Sequence, residues 1–253
     1  PGLAETIAAG RLETWFQPVF TADLDRVWGY ELLVRGRAAD RELVPAPALL
    51  DAARREHLTF SFDRACRERH VASAAASGAP ADSRFLINFL PTVIYEPRLC
   101  LQSTFAAVRR AGLRPEQIIF EVVESEAIQD REHLRRIVDI YRANGFGVAL
   151  DDLGAGHSGL TLLADLEPDL IKVDRELVGK CETSSIHQSV CRMVVELARE
   201  QRKLVLAEGV ETAGQLRFLR DLGVDLFQGF LLGRPAPRIL DPEAAAAVRA
   251  RCA

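Results

Sequence analysis

Eight short runs rich in β-branched and aromatic residues recur along the chain, and segments with helical periodicity lie between most of them. The runs occupy residues 14–20, 27–34, 84–90, 117–123, 146–152, 170–174, 203–210 and 225–232. Strands that alternate with helices form parallel sheets, and about eight such strands close a TIM barrel. A chain of 253 residues, 48% of them hydrophobic, is large enough to fill one barrel. We therefore predict a TIM-like (β/α)8 barrel of the α/β class, as a single domain over residues 1–253.

The connection between the first two runs departs from this pattern. Only the six residues 21–26 separate them, which is too short for a helical crossover. We therefore expect the first two strands to pair as an antiparallel hairpin. Two helices are expected over residues 46–77, before the third strand, and Asp241 is expected to cap a last helix.

Charge, hydropathy and cysteine spacing exclude several classes of protein. A net charge of −4 argues against a nucleic-acid binder, which needs a basic face, so we expect no DNA binding. No apolar run reaches the roughly 18 residues of a membrane helix, and the first residues lack the pattern of a signal peptide. The five cysteines are an odd number without a CxxC pair, which disfavours a zinc finger or a disulfide framework. These features favour a cytoplasmic protein.

Seven of the eight predicted strands carry a polar residue where a barrel would otherwise place a core side chain. The residues are Glu31, Asn88, Glu121, Asp151 with Asp152, Lys172, Glu208 and Gln228. Each has an ordinary structural explanation on its own, such as a solvated rim carboxylate, a helix cap or a lysine that reaches solvent. Together they indicate a functional site, because the carboxyl ends of barrel strands meet at one mouth.

Converging carboxylates raise one another's pKa unless a cation neutralises them. Mg²⁺ and Mn²⁺ take carboxylate and amide oxygens as ligands. Five carboxylates and one asparagine are too many for a single Mg²⁺ that keeps several waters. They suit two ions about 3.5–4 Å apart that share a bridging carboxylate. Because the backbone turns at a strand end, Asp151 is expected to bridge both ions while Asp152 reaches the second.

Motifs along nearly the whole chain occur in the order of one known family. They are QPV (17–19), ELLVR (31–35), INFLP (87–91), FEVVE (120–124), DDLGAG (151–156), IKVD (171–174), AEGVET (207–212) and LFQGFLLGRP (226–235). This set resembles the EAL-domain phosphodiesterases, which hydrolyse cyclic di-GMP to linear pGpG. The stretches NFLPTVIYEP (88–97) and DDLGAGHSGL (151–160) are most similar to EAL domains fused to BLUF photosensors. The resemblance implies a barrel with an antiparallel first strand. The first residue is Pro, so we expect either that an initiator Met was removed or that the chain is a domain cut from a longer sensor protein.

The resemblance also implies a role for each matched residue. It implies Glu31, Asn88, Glu121 and Asp151 as ligands of one metal ion, and Asp151, Asp152 and Glu208 as ligands of the other. Lys172 and Gln228 would hold and orient water, and Glu208 is either a general base or only a ligand. Glu124 and Glu211 would support the site, Glu124 by bracing the loop over residues 153–159. Arg35 resembles a phosphate-contacting arginine and Gln17 is a substrate-contact candidate. The resemblance also implies a homodimer that forms through the region after that loop.

The chain departs from the family pattern at a few positions, none of them a metal ligand. ELL replaces EAL, NFL replaces NLS, EVVE replaces ELTE, Leu153 replaces a phenylalanine and His157 replaces a common tyrosine. The sequence therefore predicts a metal-dependent cyclic di-GMP phosphodiesterase. Two alternatives remain open: an EAL module that binds cyclic di-GMP without cleaving it, and a different metal-dependent barrel hydrolase.

Overall fold

One continuous sheet forms the centre of the computed structural model, which describes residues 2–123, 130–154 and 159–252. Its strands are β1 (Leu12–Thr21), β2 (Val27–Arg37), β3 (Leu43–Pro45), β4 (Arg84–Asn88), β5 (Ile118–Val123), β6 (Gly147–Leu153), β7 (Leu170–Val173), β8 (Leu204–Ala207) and β9 (Leu226–Phe227). The sheet order is β1-β9-β8-β7-β6-β5-β4-β2-β3, and the additional pairing of β1 with β2 closes eight strands into a barrel. The predicted TIM-like fold is confirmed.

The first two strands form the antiparallel hairpin that the short connection predicts. They pair from Leu12↔Gly36 to Phe20↔Val27, whereas the neighbours from β2–β4 to β8–β9 are parallel. The barrel closes where β1 meets β9, through only two ladder pairs, Phe20↔Phe227 and Thr21↔Leu226. The three-residue strand β3 was not predicted, because so short a run carries no period-2 signal.

Helices cover the outside of the barrel. They are α1 (Leu3–Ala8), α2 (Ala46–Arg55), α3 (Thr59–Ala76), α4 (Pro97–Cys100), α5 (Gln102–Arg110), α6 (Arg131–Ala143), α7 (Gly159–Leu166), α8 (Arg175–Lys180), α9 (Ser185–Glu200), α10 (Ala213–Leu222) and α11 (Pro242–Cys252). The two helices expected before the third predicted strand are α2 and α3. Asp241 accepts a 2.7 Å hydrogen bond from the Ala244 amide and so caps α11, as predicted. Across the described ranges, no helix combines the length and the apolar character that a bilayer crossing requires.

Apolar side chains fill two separate regions of the barrel. Outside the strands, aromatic rings pack under the helices, with Phe120 stacked on Tyr141 at 3.9 Å between ring centroids. Inside the barrel, every strand except β2 and β3 contributes one residue to a single apolar layer: Val19, Leu86, Ile119, Ala149, Leu170, Leu206 and Leu226. This layer closes the lower part of the barrel and forms the floor of its mouth.

Candidate metal centre

The polar residues of the barrel mouth stand directly above the apolar layer. On or just after strands β4 to β9, each of them except Asp152 follows a member of that layer by two positions, as Glu121 follows Ile119 and Lys172 follows Leu170. Residues two apart on a strand share a face, so these polar side chains also point into the barrel. The convergence expected from the sequence is therefore present in the fold.

Lys172 lies at the centre of this polar layer. Its Nζ is 2.6 Å from Glu121 Oε1, 2.7 Å from Glu208 Oε1, 2.9 Å from Asp151 Oδ2 and 3.9 Å from Glu31 Oε1. Burial alone lowers the pKa of this ammonium, but the surrounding carboxylates outweigh burial and raise the pKa well above its ordinary value. Lys172 is therefore charged and holds the acidic side chains together.

Two side-chain amides orient Glu31. Asn88 Nδ2 donates to Glu121 Oε2 at 2.8 Å and to Glu31 Oε1 at 3.4 Å, while Gln228 Nε2 donates to Glu31 Oε2 at 2.8 Å. Both Glu31 oxygens are thus held from opposite sides. The amide oxygen of Asn88 makes none of these contacts, which leaves it available as a ligand.

Asp151 and Asp152 face the same centre because the backbone turns between them. Asp152 has a φ of +58°, in the left-handed region that aspartate tolerates better than most residues. The pairing of β6 with β7 is irregular between Leu150 and Leu153, and the Asp152 amide donates to Asp151 Oδ1 at 2.8 Å. In a regular strand these consecutive side chains would point to opposite faces. The turn expected at this strand end is present.

The carboxylates form two groups that share one member. Oxygens of Glu31, Glu121 and Asp151 all lie within 4.8 Å of one another, and so do those of Asp151, Asp152 and Glu208. These groups match the carboxylates of the two ligand sets expected from the sequence, with Asp151 in both. A carboxylate common to two groups is the arrangement that two neighbouring divalent ions use.

Charge in this cluster is only partly neutralised by the protein. Burial raises the pKa of Glu121 and of Glu208 well above its ordinary value, against the opposing effect of Lys172. Burial, together with the Asp151 carboxylate, raises the pKa of Asp152 to about 6. When ionised, the five carboxylates and one ammonium carry four negative charges in excess. Two divalent cations would balance that excess, so the residues present fit two Mg²⁺ or Mn²⁺ ions.

The two substrate-contact candidates lie on the β1–β2 hairpin. Gln17 pairs with Glu31 across the strands, and its Nε2 is 3.5 Å from the Gly233 carbonyl oxygen. Arg35 lies four residues beyond Glu31 on the same strand, and its guanidinium carbon is 5.7 Å from the centre of the Trp15 ring. Arg35 is therefore at the rim of the mouth, whereas Gln17 is level with Glu31, and neither residue belongs to the ion-paired cluster.

Of the two residues expected to support the site, the structure describes Glu211. Glu211 is exposed, and it lies beside Phe230 and Arg234 in a cleft of about 610 Å³ rather than among the carboxylates around Lys172. Its amide donates to Gln215 Oε1 at 2.8 Å, at the start of α10. Glu124 and residues 155–158 of the loop lie outside the described residues.

A buried ion pair, not expected from the sequence, holds the loop after Asn88. Asp63 Oδ2 accepts from Arg67 Nε at 2.9 Å, and Asp63 Oδ1 accepts from the Leu90 amide at 2.9 Å. The Arg67 side chain is 0% exposed and also donates to Thr104 Oγ1. The available signal was an aspartate and an arginine four residues apart on a helix face that is otherwise largely apolar.

Comparison with known families finds a match that covers most of the chain. The family model of the EAL domain matches residues 2–235. Among curated proteins, the chain is 30% identical over 240 residues to the bifunctional diguanylate cyclase/cyclic di-GMP phosphodiesterase MucR of Pseudomonas aeruginosa. That alignment covers 93% of this chain but only 34% of MucR, so the chain spans about a third of this relative's length.

Solved structures agree with this assignment. The PaMucR phosphodiesterase in complex with c-di-GMP superposes with a TM-score of 0.83 at 29% identity, covering 93% of this chain and 96% of that one. Klebsiella pneumoniae BlrP1, a BLUF–EAL protein solved with manganese and cy-diGMP, gives a TM-score of 0.83 at 32% identity. That match covers 90% of this chain and 57% of BlrP1. With the acidic cluster at the barrel mouth and the family match over residues 2–235, the chain belongs to the EAL domain family.

Proposed function

We propose that this chain hydrolyses cyclic di-GMP to linear pGpG and that it depends on two Mg²⁺ or Mn²⁺ ions. The observation that carries the proposal is the pair of carboxylate groups that share Asp151 around Lys172. Structural relatives of the chain were solved with c-di-GMP, one of them with manganese as well. An acidic mouth repels a phosphodiester unless cations intervene, so the charge of the site itself supports metal dependence.

The residues divide into two ligand sets in this proposal. Glu31, Asn88, Glu121 and Asp151 would hold one ion, and Asp151, Asp152 and Glu208 the other. Bound divalent ions would supply electrophilic activation of the phosphodiester. The same ions would lower the pKa values that burial raises at Glu121, Glu208 and Asp152, because a nearby cation favours the ionised carboxylate.

The remaining polar residues position groups rather than bind metal. Lys172 holds three carboxylates with its three N–H donors. Divalent ions bound to those carboxylates would free a donor, which Lys172 would then offer to a water molecule within the mouth. Gln228 fixes Glu31 through their 2.8 Å hydrogen bond. Arg35 supplies a guanidinium at the rim, whose forked donors suit a phosphate group. Gln17, opposite Glu31 on the neighbouring strand, contributes an amide deeper in the mouth.

The direct test is a turnover assay. The purified chain is incubated with cyclic di-GMP and Mg²⁺ or Mn²⁺, and the products are separated by chromatography. We expect pGpG to accumulate, EDTA to abolish turnover and Ca²⁺ to inhibit it, because Ca²⁺ is larger and accepts looser geometry. Binding of cyclic di-GMP without any pGpG would instead indicate a receptor module, and full turnover after exhaustive EDTA treatment would refute the metal dependence.

We also propose that the chain forms a homodimer through the region after the loop at residues 153–159. The supporting observation is Leu160, which is 53% exposed on α7. Burial of this side chain against a second copy of the chain would remove apolar surface from water, which favours association. Sedimentation velocity with substrate present tests this proposal, and a monomer at tens of micromolar protein would contradict it.

A further inference from the structure

One wall of the barrel mouth is built by three successive residue pairs of the β1–β2 hairpin. The pairs are Gln17↔Glu31, Trp15↔Leu33 and Glu13↔Arg35. Because alternate residues of a strand share a face, these pairs continue the inward face that carries Glu31. Trp15 lies two residues from Gln17 on this face, toward the rim of the mouth. At about 3.4 Å per residue, that separation is roughly 7 Å along the strand.

Trp15 and Arg35 contact each other on that wall. The guanidinium carbon of Arg35 lies over the indole ring at 5.7 Å from its centre, and the indole nitrogen is 3.5 Å from Glu13 Oε2. Both side chains are half-buried. A planar guanidinium over an indole is a favourable arrangement that also limits how far either group moves.

Arg35 makes no ion pair with a carboxylate in the described part of the chain. Its Nη1 donates to the Val34 carbonyl at 2.8 Å. Within the described residues, its other N–H groups donate to no further protein acceptor. Burial lowers the pKa of Arg35, and only the Glu31 carboxylate opposes that effect. Arg35 is therefore a partly desolvated cation on the wall of an acidic mouth. Such a cation is suited to an anionic ligand that enters between Arg35 and the carboxylate cluster.

We propose that the Trp15–Arg35 pair is a purine-stacking wall, on which a guanine base of the substrate rests against the indole ring. This inference rests on the proposed function and deepens it. In a cyclic dinucleotide each base is one ribose away from a phosphate, so with a phosphate at the carboxylate cluster a base can reach the wall above it. The indole supplies an apolar face for the base, and Arg35 supplies hydrogen-bond donors for the neighbouring phosphate.

Substitution of Trp15 separates this role from a structural one. Stacking of a base on an aromatic side chain contributes about 1–3 kcal/mol, so Trp15→Ala is expected to raise KM for cyclic di-GMP about 5- to 150-fold. The kcat is expected to change by less than about threefold, because no metal ligand is altered. Trp15→Phe keeps an aromatic face and should recover most of the affinity. The Mg²⁺-dependent rise in Tm should be the same in both variants as in the unmodified protein, which reports an intact fold and carboxylate cluster.

The second tryptophan provides both the control and a spectroscopic readout. Trp28 packs against the apolar layer at the floor of the barrel, so Trp28→Phe should leave KM unchanged. The chain has only two tryptophans, so this variant reports the fluorescence of Trp15 alone. Titration with cyclic di-GMP in Ca²⁺, which is present in one c-di-GMP complex of BlrP1, should quench that fluorescence saturably.

Two results would overturn the stacking wall while leaving the proposed function intact. One is a Trp15→Ala variant that hydrolyses cyclic di-GMP with the KM of the unmodified protein. The other is cyclic di-GMP binding, detected by calorimetry, that leaves the fluorescence of Trp15 unchanged. If the unmodified chain neither binds nor cleaves cyclic di-GMP, the proposed function fails and the inference fails with it.

Discussion

Replacing Lys172 with methionine removes one positive charge from the barrel mouth while nearly preserving volume. In the metal-free protein this leaves Glu121, Glu208 and Asp151 without the ammonium that now lies 2.6–2.9 Å from each of them. Removing one partner of a buried ion pair costs about 3–5 kcal/mol. Protonation limits the loss, since burial already raises the pKa of Glu121 and Glu208. We therefore expect a loss near the lower bound, about 3 kcal/mol, which lowers Tm by about 6–12 °C in a domain of this size.

Thermal unfolding in EDTA and then in Mg²⁺ measures this effect. Ions that bind only the folded state stabilise it, by about 2.7 kcal/mol at one hundred times their Kd. Because added cations take over the neutralisation, the gap in Tm between Lys172→Met and the unmodified protein should narrow in Mg²⁺. The variant should still bind metal, yet its kcat should fall about 10²-fold or more through loss of a positioned donor. Lys180→Met, at the exposed end of α8, is the matched control and should change neither quantity.

Two results would contradict this role of Lys172. A Tm in EDTA within about 1 °C of the unmodified protein would show that Lys172 does not neutralise the cluster. A kcat defect that vanishes on adding metal would show that the lysine only assists metal binding.

Three other parts of the structure give predictions of their own. Asp151→Asn should weaken metal binding measured by calorimetry as well as turnover, because Asp151 belongs to both carboxylate groups; an unchanged metal affinity would count against the shared ligand. Arg67→Met should cost about 3–5 kcal/mol in urea unfolding by leaving Asp63 buried without its cation, whereas Arg64→Met, in an exposed pair with Glu68, should cost under about 1 kcal/mol. Burial lowers the pKa of His70 to about 3 from an ordinary value near 6.5, so between these values the unfolded state binds the proton and the folded state does not. Stability should therefore fall as pH drops through this window, by up to about 1.4 kcal/mol per pH unit, and His70→Gln should flatten that slope in urea titrations at pH 5 and pH 7.

Much of the site could be predicted because strand alternation is a strict rule. Once the runs are read as parallel barrel strands, Asn88, Glu121 and Lys172 must share the inward face at one end. The sequence does not say which of these groups touch. The 2.6 Å contact between Lys172 and Glu121 depends on side-chain conformations that only the packed barrel fixes.

The alternation of side chains between two faces ends where the chain leaves a strand. At those positions the sequence predicts side-chain direction less well. Asp152 adopts a positive φ that brings it beside Asp151, a turn that a strand end allows but that no residue pattern specifies. Gly209 has a φ of +66°, in the left-handed region, so the backbone changes direction directly after Glu208. Glu211 is therefore exposed rather than in the cluster, although it follows Glu208 by only three residues. The Asp63–Arg67 pair was missed for another reason: on a helix, such spacing usually indicates an exposed pair.

The seam between β1 and β9 makes the carboxylate cluster a late product of folding. Only two ladder pairs join these strands, and the hydrogen bond from Gln228 to Glu31 links residues 197 positions apart across the same closure. Contacts between residues so distant in sequence form slowly, because the loop entropy must be lost before they contribute any stability. During synthesis the hairpin that carries Glu31 is made early. Its hydrogen-bond partner Gln228 is made 197 residues later. Helix content measured by circular dichroism should therefore recover before metal binding when the unfolded chain is allowed to refold.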